Sequence, residues 1–292
     1  MALALYVIGA PGAGKTTVFD ALTLTPEGPN FTVRGGNRTG SVKVPDTRLE
    51  ALRDLYKPKK FTPAEVTFTD VAPPGGEAIR FGVMTPLLAN ADAFVLVIQA
   101  FGDATRDGTP LDSAAQMESI LLELVVSDLE KVERRFERAA QDQKRGQKMA
   151  DAERVVLDRC KERLEAGEPL LGMEFREDED KLLRTYQFLS LKPILAVANV
   201  SESQLDGSGL EPLRKLAAEK QLDLLPFCAP LEAEIAQLQS GEQSAFLADY
   251  GLTEPARVRA LQAAYRTLKL ISFFTVGEDE VRAWPIRDGT RA

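Results

Sequence analysis

The chain contains no histidine. Imidazole is the side chain that titrates near neutrality, and it is a frequent general base and metal ligand. Histidine bases, histidine nucleophiles and histidine-bound metals are therefore excluded. Cysteine is scarce too. Cys160 and Cys228 stand far apart in sequence with no metal-ligand residues beside them, which argues against a disulfide framework or a zinc site. Basic charge is not in excess: the formal net charge is −8 over 292 residues. Coating of nucleic acid through bulk charge is excluded, leaving only a local basic patch for that role, and no DNA contact is expected. No basic segment precedes the first apolar run, and no run approaches membrane-spanning length. These absences point to a cytoplasmic protein without a membrane partner. Its chemistry rests on backbone amides, lysine, hydroxyls, carboxylates and a hard metal ion.

What is present suits a folded enzyme-sized protein. Apolar residues make up 44% of the chain, enough for a sizeable core, and the length allows a main domain with one or two smaller modules. Five short apolar runs, 3–8, 66–71, 93–100, 193–200 and 223–229, show little alternation. That is the pattern of parallel strands covered on both faces. Helical patterns between some of them, such as "TTVFDALT" and "GLEPLRKLAAEK", predict an α/β fold with a mostly parallel sheet. Between 112 and 190 the pattern changes. Met117, Ile120, Leu121, Leu124, Leu129, Val132 and Phe136 keep helical spacing, as do Met149, Ala152, Val156, Cys160 and Leu164. The polar stretch "QDQKRGQK" separates them, so an antiparallel helical hairpin is predicted as an insertion. Lys144, Arg145 and Lys148 cluster at its tip, either as a solvated loop or as a contact for RNA or another acidic partner. The expected domains are 1–111 and 191–267 as two parts of one nucleotide-binding domain, 112–190 as the insertion, and 268–292 as a strand-rich tail. Two strands alone do not make a stable module. The tail must either pack on the main domain or belong to a module whose remainder lies elsewhere.

The most specific local signal is Gly9-Ala10-Pro11-Gly12-Ala13-Gly14-Lys15-Thr16, which satisfies GxxxxGK[ST] between a predicted strand and a predicted helix. Glycines let backbone N–H groups converge on phosphate oxygens, and the helix N-terminus adds partial positive charge. Lys15, the expected catalytic cation, should span the β- and γ-phosphates, and the Thr16 hydroxyl should ligate Mg2+. Asp70, closing "VTFTD", is the candidate second metal residue. Switch proteins of this class read D-x-x-G after that aspartate, but here Pro73 stands at the glycine position. Proline has no N–H to offer a γ-phosphate. Either Gly75 or Gly76 takes over, or γ-phosphate sensing is weakened, and no glutamine follows to orient a water. After the fourth apolar run comes Asn199-Val200-Ser201-Glu202, where guanine-specific proteins carry N-K-x-D. A glutamate in place of the aspartate moves the carboxylate away from the guanine-selective position.

Taken with "VPDTRLEALRDLYKPKK", "LELVVSDLEKVERRFERA", "ERLEAGEPL", "KPILAVANVSE" and "LISFFTVGEDEVRAWPIRDGT", these motifs resemble the Obg-like ATPases, the YchF family, in order and over nearly the whole chain. The resemblance implies a P-loop NTPase G-domain with an inserted antiparallel α-helical coiled-coil hairpin. It also implies ATP preferred over GTP, slow hydrolysis, and a link to ribosomes or stress responses. It assigns Pro11, Gly12, Ala13, Gly14, Lys15, Thr16 and Thr17 to the phosphates, Asn199, Val200 and Glu202 to the base, and Cys228 and Ala229 to the last base-contacting loop. Family members carry an apolar residue in place of the catalytic glutamine, which suits Pro74. Their metal-binding switch-one threonine aligns here with Thr32 or Thr39, and their terminal TGS module is represented by its opening strands. Three other readings stand beside an ATPase: a GTP-preferring GTPase, a nucleotide-binding scaffold with little turnover, and a nucleoside kinase, the last opposed by the helical insertion and the NxxE run.

Overall fold

A computed structural model describes residues 3–25, 28–71, 86–238 and 240–290. Pro73, Pro74, Gly75 and Gly76, on which the γ-phosphate-sensing argument turns, lie outside the described residues. The chain divides into two compact units. The first comprises 1–72, 92–113 and 194–292, and the second 73–91 and 114–193.

In the first unit the order is β1 (Leu3–Gly9), α1 (Lys15–Thr23), β2 (Leu24–Thr25), β3 (Gly28–Pro29), β4 (Thr32–Arg34), β5 (Asn37–Lys43), α2 (Thr47–Tyr56), β6 (Lys60–Thr62), β7 (Glu65–Asp70) and β8 (Ala93–Gln99). A seven-stranded sheet runs β10-β9-β8-β1-β7-β5-β4, with β9 (Ile194–Asn199) and β10 (Asp223–Phe227) supplied by the later part of the chain. The pairs β10–β9, β9–β8, β8–β1 and β1–β7 are parallel. Every residue of β8 and β9 is buried, as their unbroken apolar runs require. Each large side chain removed from water there contributes about 1.5–3 kcal/mol. The sheet ends antiparallel, where β5 pairs with β7 and β4 folds back on β5. This hairpin holds both candidate switch threonines, and its polar "NRTGSVK" strand carries too little apolar pattern to be read from sequence.

The position of β1 places the candidate functional end of this sheet. Its neighbours β7 and β8 lie on opposite sides, so the chain reverses its direction of travel across the sheet at β1. In such sheets ligands bind beyond the carboxyl ends of the strands at the reversal. The later part of the unit adds α6 (Glu211–Glu219), α7 (Ala229–Gln237), α8 (Ser240–Asp249) and α9 (Ala256–Thr267), then β11 (Leu270–Val276) and β12 (Glu280–Arg287). β11 and β12 pair antiparallel, and β12 joins β6 in parallel. Val281 and Ala283 enter the same core as Leu5, Val66 and Phe68. The tail therefore packs on the main unit, the first of the two alternatives left open by its sequence.

The second unit contains α3 (Ser113–Lys144, its first residue in the other unit), α4 (Asp151–Glu165) and α5 (Glu177–Leu183). Val132 of α3 and Val156, Cys160 and Leu164 of α4, all in the predicted helical series, share a core, and Val125 and Leu157, outside that series, join it. Arg135 grips Glu153 through two hydrogen bonds of 2.7 and 2.9 Å, tying the helices near their connection. Fully buried Asp128 accepts from the Leu189 and Ser190 amides at 2.9 and 2.7 Å, closing the chain's return onto α3. Lys144, Arg145 and Lys148 are all exposed, which fits either reading of the tip. Among the described residues no helix is long and apolar enough to cross a membrane.

Candidate functional site

The predicted site residues lie at the carboxyl ends of four of the five parallel strands, β1, β7, β9 and β10. The loop after β1 turns into α1 through Gly14, whose φ of 85° lies in the left-handed region that suits glycine. A Cβ there would also collide with the Asn199 amide nitrogen. Pro11 and Gly12 are exposed, Ala13 is fully buried, and Thr16 and Thr17 open to solvent on the first turn of α1. The loop thus presents its backbone outward and anchors itself by one small side chain. The first N–H groups of α1 have no partner within the helix, which is the usual basis for anion binding at a helix start.

Lys15 folds back over this loop. Its Nζ donates to the Gly9 carbonyl at 3.0 Å and the Ala10 carbonyl at 2.8 Å. Burial holds its pKa below the usual lysine value, and the nearby Asp70 charge partly offsets that effect. A cation held in this way gains from an incoming anion, because phosphate supplies the compensating charge that burial removes.

Asp70, at the end of β7 and largely buried, accepts a 2.8 Å hydrogen bond from the Thr16 hydroxyl. A hydroxyl and a carboxylate oxygen thus meet at the phosphate-loop helix, a hard-donor pair that suits Mg2+. Among the described residues no group of three or more acidic or cysteine side chains gathers to enclose a metal. The donors therefore fit an ion that keeps most of its shell for phosphate and water. The switch threonines are placed differently. Thr32 and Thr39 are register partners in the β4–β5 hairpin. The Thr39 hydroxyl meets that of Thr69 at 3.4 Å, while Thr32 faces the Thr39 carbonyl at 3.5 Å. Because side chains alternate along a strand, Thr39 lies on the opposite face of the sheet from Asp70. Neither threonine joins Thr16 and Asp70 in this arrangement.

Beside the loop after β1, Asn199 closes β9 and is buried. Its amide donates to the Ala13 carbonyl at 3.0 Å, strapping the end of β9 to the loop after β1. Val200 is also buried, its N–H bonded to the Phe227 carbonyl at 3.1 Å. Glu202 is exposed on a short 3-10 turn, Glu202–Gln204. The side chains of Cys228 and Ala229 are buried at the start of α7, so any ligand contact there is through the main chain. Burial raises the Cys228 thiol pKa. Three neighbours of the predicted residues had no signal in the sequence. Tyr250 brings its hydroxyl 3.4 Å from Glu202, with Phe246 packed 5.3 Å from its ring. Arg38 is bonded to Asp20 of α1 and lies 4.0 Å over Phe31, fixing the hairpin to the phosphate-loop helix. Arg106 packs against Gly12. Only folding brings these residues to the cleft.

Known proteins share this plan. The ribosome-binding ATPase YchF of Bacillus subtilis (strain 168) is 36% identical over 304 residues, which span all of this chain and 83% of that protein. The chain belongs to the YchF family. The YchF of Escherichia coli O157:H7 is 34% identical over 297 residues, 98% of this chain and 81% of its own. The solved structure of the Schizosaccharomyces pombe YchF GTPase superposes with a TM-score of 0.82 at 26% identity, covering 99% of this chain and 82% of its own. A GTP-binding protein from Pyrococcus horikoshii OT3 shares the fold at 16% identity and a TM-score of 0.56. No family model matches the chain. The YchF relationship agrees with the resemblance carried by the sequence motifs.

Proposed function

We propose that this YchF-family chain binds ATP with Mg2+ and hydrolyses it slowly, as a switch whose partner is the ribosome. The observation that carries the reading is the convergence on one cleft of Lys15, the Thr16–Asp70 pair and the Asn199 strap. Relatives named ribosome-binding ATPases support the activity and the partner, and with it a cytoplasmic location.

In this reading the amides of Pro11-to-Thr17 surround the phosphates, apart from Pro11, which has none to give. Lys15 releases the Gly9 and Ala10 carbonyls and moves its charge to the β- and γ-phosphates. Thr16 and Asp70 hold Mg2+, which neutralises phosphate charge when bound. Val200 and the main chain at Cys228 and Ala229 bound the base, and Glu202 selects adenine over guanine. Residues 112–190 act as the helical insertion, with the Lys144–Arg145–Lys148 tip facing RNA, between nucleotide-binding segments 1–111 and 191–267. Residues 268–292 form the TGS-like tail.

A GTP preference is the second reading, favoured by the name of the S. pombe neighbour. Competition calorimetry with ATP, GTP and both diphosphates in Mg2+ separates the two. The ATPase reading expects ATP to outcompete GTP by at least about tenfold, or 1.4 kcal/mol. A tenfold preference for GTP overturns it.

A further inference from the structure

The hydrolysis reading leaves one role without a side chain. There is no histidine anywhere, and no glutamine follows the Asp70 segment to act on water. Lys15, Thr16 and Asp70 are committed to the phosphates and the metal. We propose that Arg106 is the missing catalytic group, an arginine finger supplied within the chain that stabilises the γ-phosphoryl group as it transfers.

The placement comes from the loop after β8. That loop folds as a small hairpin of its own. Ala104 bridges Pro110, the Thr105 N–H donates to the Thr109 carbonyl at 2.8 Å, and the Leu111 N–H to the Asp103 carbonyl at 2.9 Å. Its foot is fixed by buried Gln99, whose amide donates to the Phe101 and Ala104 carbonyls at 3.2 and 2.9 Å. The Ser113 hydroxyl bonds the Gln99 carbonyl at 2.7 Å from the far side. Arg106 sits at the tip of this braced turn. A Cβ built on Gly12 would lie 3.1 Å from the Arg106 Cβ, so the arginine stem starts against the middle of the phosphate loop. In the ATPase reading Gly12 is where side-chain-free backbone meets the phosphates, so Arg106 is held beside the reaction site by a hydrogen-bonded turn.

Charge availability separates Arg106 from the other cations near the loop. Arg38 is held by Asp20 and stacked on Phe31, and Lys15 is folded onto its own loop. Arg106 is exposed, and among the described residues no carboxylate pairs with it. The acid nearest in sequence, Asp107, is engaged by the Thr105 hydroxyl and the Thr109 N–H. Arginine keeps its proton at any working pH and presents a planar fork of donors that matches phosphoryl oxygens. In the reaction, water oxygen forms a bond to the γ-phosphorus as the bond from that phosphorus to the β–γ bridging oxygen breaks. ADP leaves with the electron pair of the broken bond, and the water proton departs with inorganic phosphate. Arg106 transfers no proton. It donates N–H bonds to oxygens whose charge is redistributed in the transition state, a contribution worth about 10³–10⁵ in rate where it operates.

The inference rests on the ATPase reading, and the experiment distinguishes failure of the two. The full chain and its Arg106→Ala and Arg106→Lys variants are compared in single-turnover ATP hydrolysis, in ATP affinity, and in affinity for ADP with aluminium fluoride, a mimic of the transferring phosphoryl group. Expected for Arg106→Ala is a rate at least about 100-fold lower, ATP affinity within about threefold, and affinity for the mimic at least about tenfold weaker. Arg106→Lys recovers less than a tenth of the lost rate, because an ammonium lacks the planar fork. Wild-type hydrolysis with an Arg106→Ala variant that matches it within threefold and holds the mimic equally well overturns the inference alone. Wild-type protein that binds no ATP overturns the function reading and the inference together.

Discussion

The two ends of the cleft are built on different principles. In the proposed reading the phosphate end comes chiefly from one contiguous run, Gly9 to Thr17, joined by Asp70 from β7, and most of its donors are main-chain amides beside Lys15 and the Thr16 hydroxyl. The base end is assembled from the ends of β9 and β10 and from the segment after α8, with Glu202 and Tyr250 both on the surface. A backbone cradle is fixed by local conformation, as the positive φ of Gly14 illustrates, and here the Asn199 amide also braces it through the Ala13 carbonyl. A side-chain reader is adjustable, because one exposed rotamer or one methylene changes what it recognises. If the proposed reading holds, anion binding rests mainly on main-chain geometry and base choice on exposed side chains.

The sharpest way to test that contrast is at Lys15. Lys15→Ala removes the buried ammonium, and ATP affinity is expected to fall about 100-fold, or 2.7 kcal/mol. Adenosine, which has no phosphate, should bind as before. The same residue gives a pH signature. In the free protein burial lowers its pKa, and a neighbouring triphosphate is expected to raise it again, because an opposite charge favours the protonated form. The ligand thus favours the protonated lysine. Affinity is full below the free-protein pKa, falls as pH rises through it, and binding takes up protons in that window. Calorimetry in buffers of different ionisation enthalpy reads the uptake directly. Equal loss for adenosine and ATP in Lys15→Ala would erase the distinction between the two ends.

The strap between them comes next. Asn199→Ala deletes the donor to the Ala13 carbonyl and leaves that fully buried residue's acceptor without it. Leaving a buried acceptor unmade costs about 1–3 kcal/mol. Thermal unfolding of the nucleotide-free chain should move down by several degrees, and pyrophosphate should weaken along with adenosine. An unchanged pyrophosphate affinity with unchanged unfolding would mean that the two ends act independently of this contact.

The contrast between the ends also explains what could be read from sequence. The phosphate loop was legible because its function is contiguous, with strand, glycines, lysine and helix following one another. The five parallel strands were legible because burial on both faces removes polar residues from β8 and β9. Two second-unit helices, α3 and α4, were legible because Val132, Val156 and Cys160 keep helical spacing, whereas the short α5 (Glu177–Leu183) was not predicted. The β4–β5 hairpin was not, since a polar strand at the sheet margin has no apolar period to betray it. The tail pairing was hidden for another reason: Thr62 and Glu280 meet at 2.6 Å across 218 residues, and β6 is only three residues long. Arg106 and Tyr250 sit in or beside loops, where residue type says nothing until the fold supplies a neighbour.

Glu202→Asp sharpens the comparison from the base side. Shortening the side chain moves its carboxylate toward the position that accepts both guanine N–H groups. The ATP-to-GTP affinity ratio is expected to shift about tenfold toward GTP, or 1.4 kcal/mol. Unfolding temperature should stay put, because Glu202 is exposed. A ratio that does not move would transfer base selection to Val200 and the main chain at Cys228 and Ala229.

The smallest effect belongs to Tyr250. Its hydroxyl approaches Glu202 at 3.4 Å, long for an O–H···O bond, and both residues face solvent. Desolvation and the Glu202 charge both raise the phenol pKa, so the neutral hydroxyl is the form that faces the carboxylate. Tyr250→Phe removes that donor and keeps the ring packed on Phe246. If the base end is an adjustable reader, Glu202 should find its position without this contact. The ATP-to-GTP ratio should then change by less than about threefold, which is under 1 kcal/mol. A tenfold change would instead make Tyr250 the residue that positions Glu202, and the base end would be as preorganised as the phosphate end.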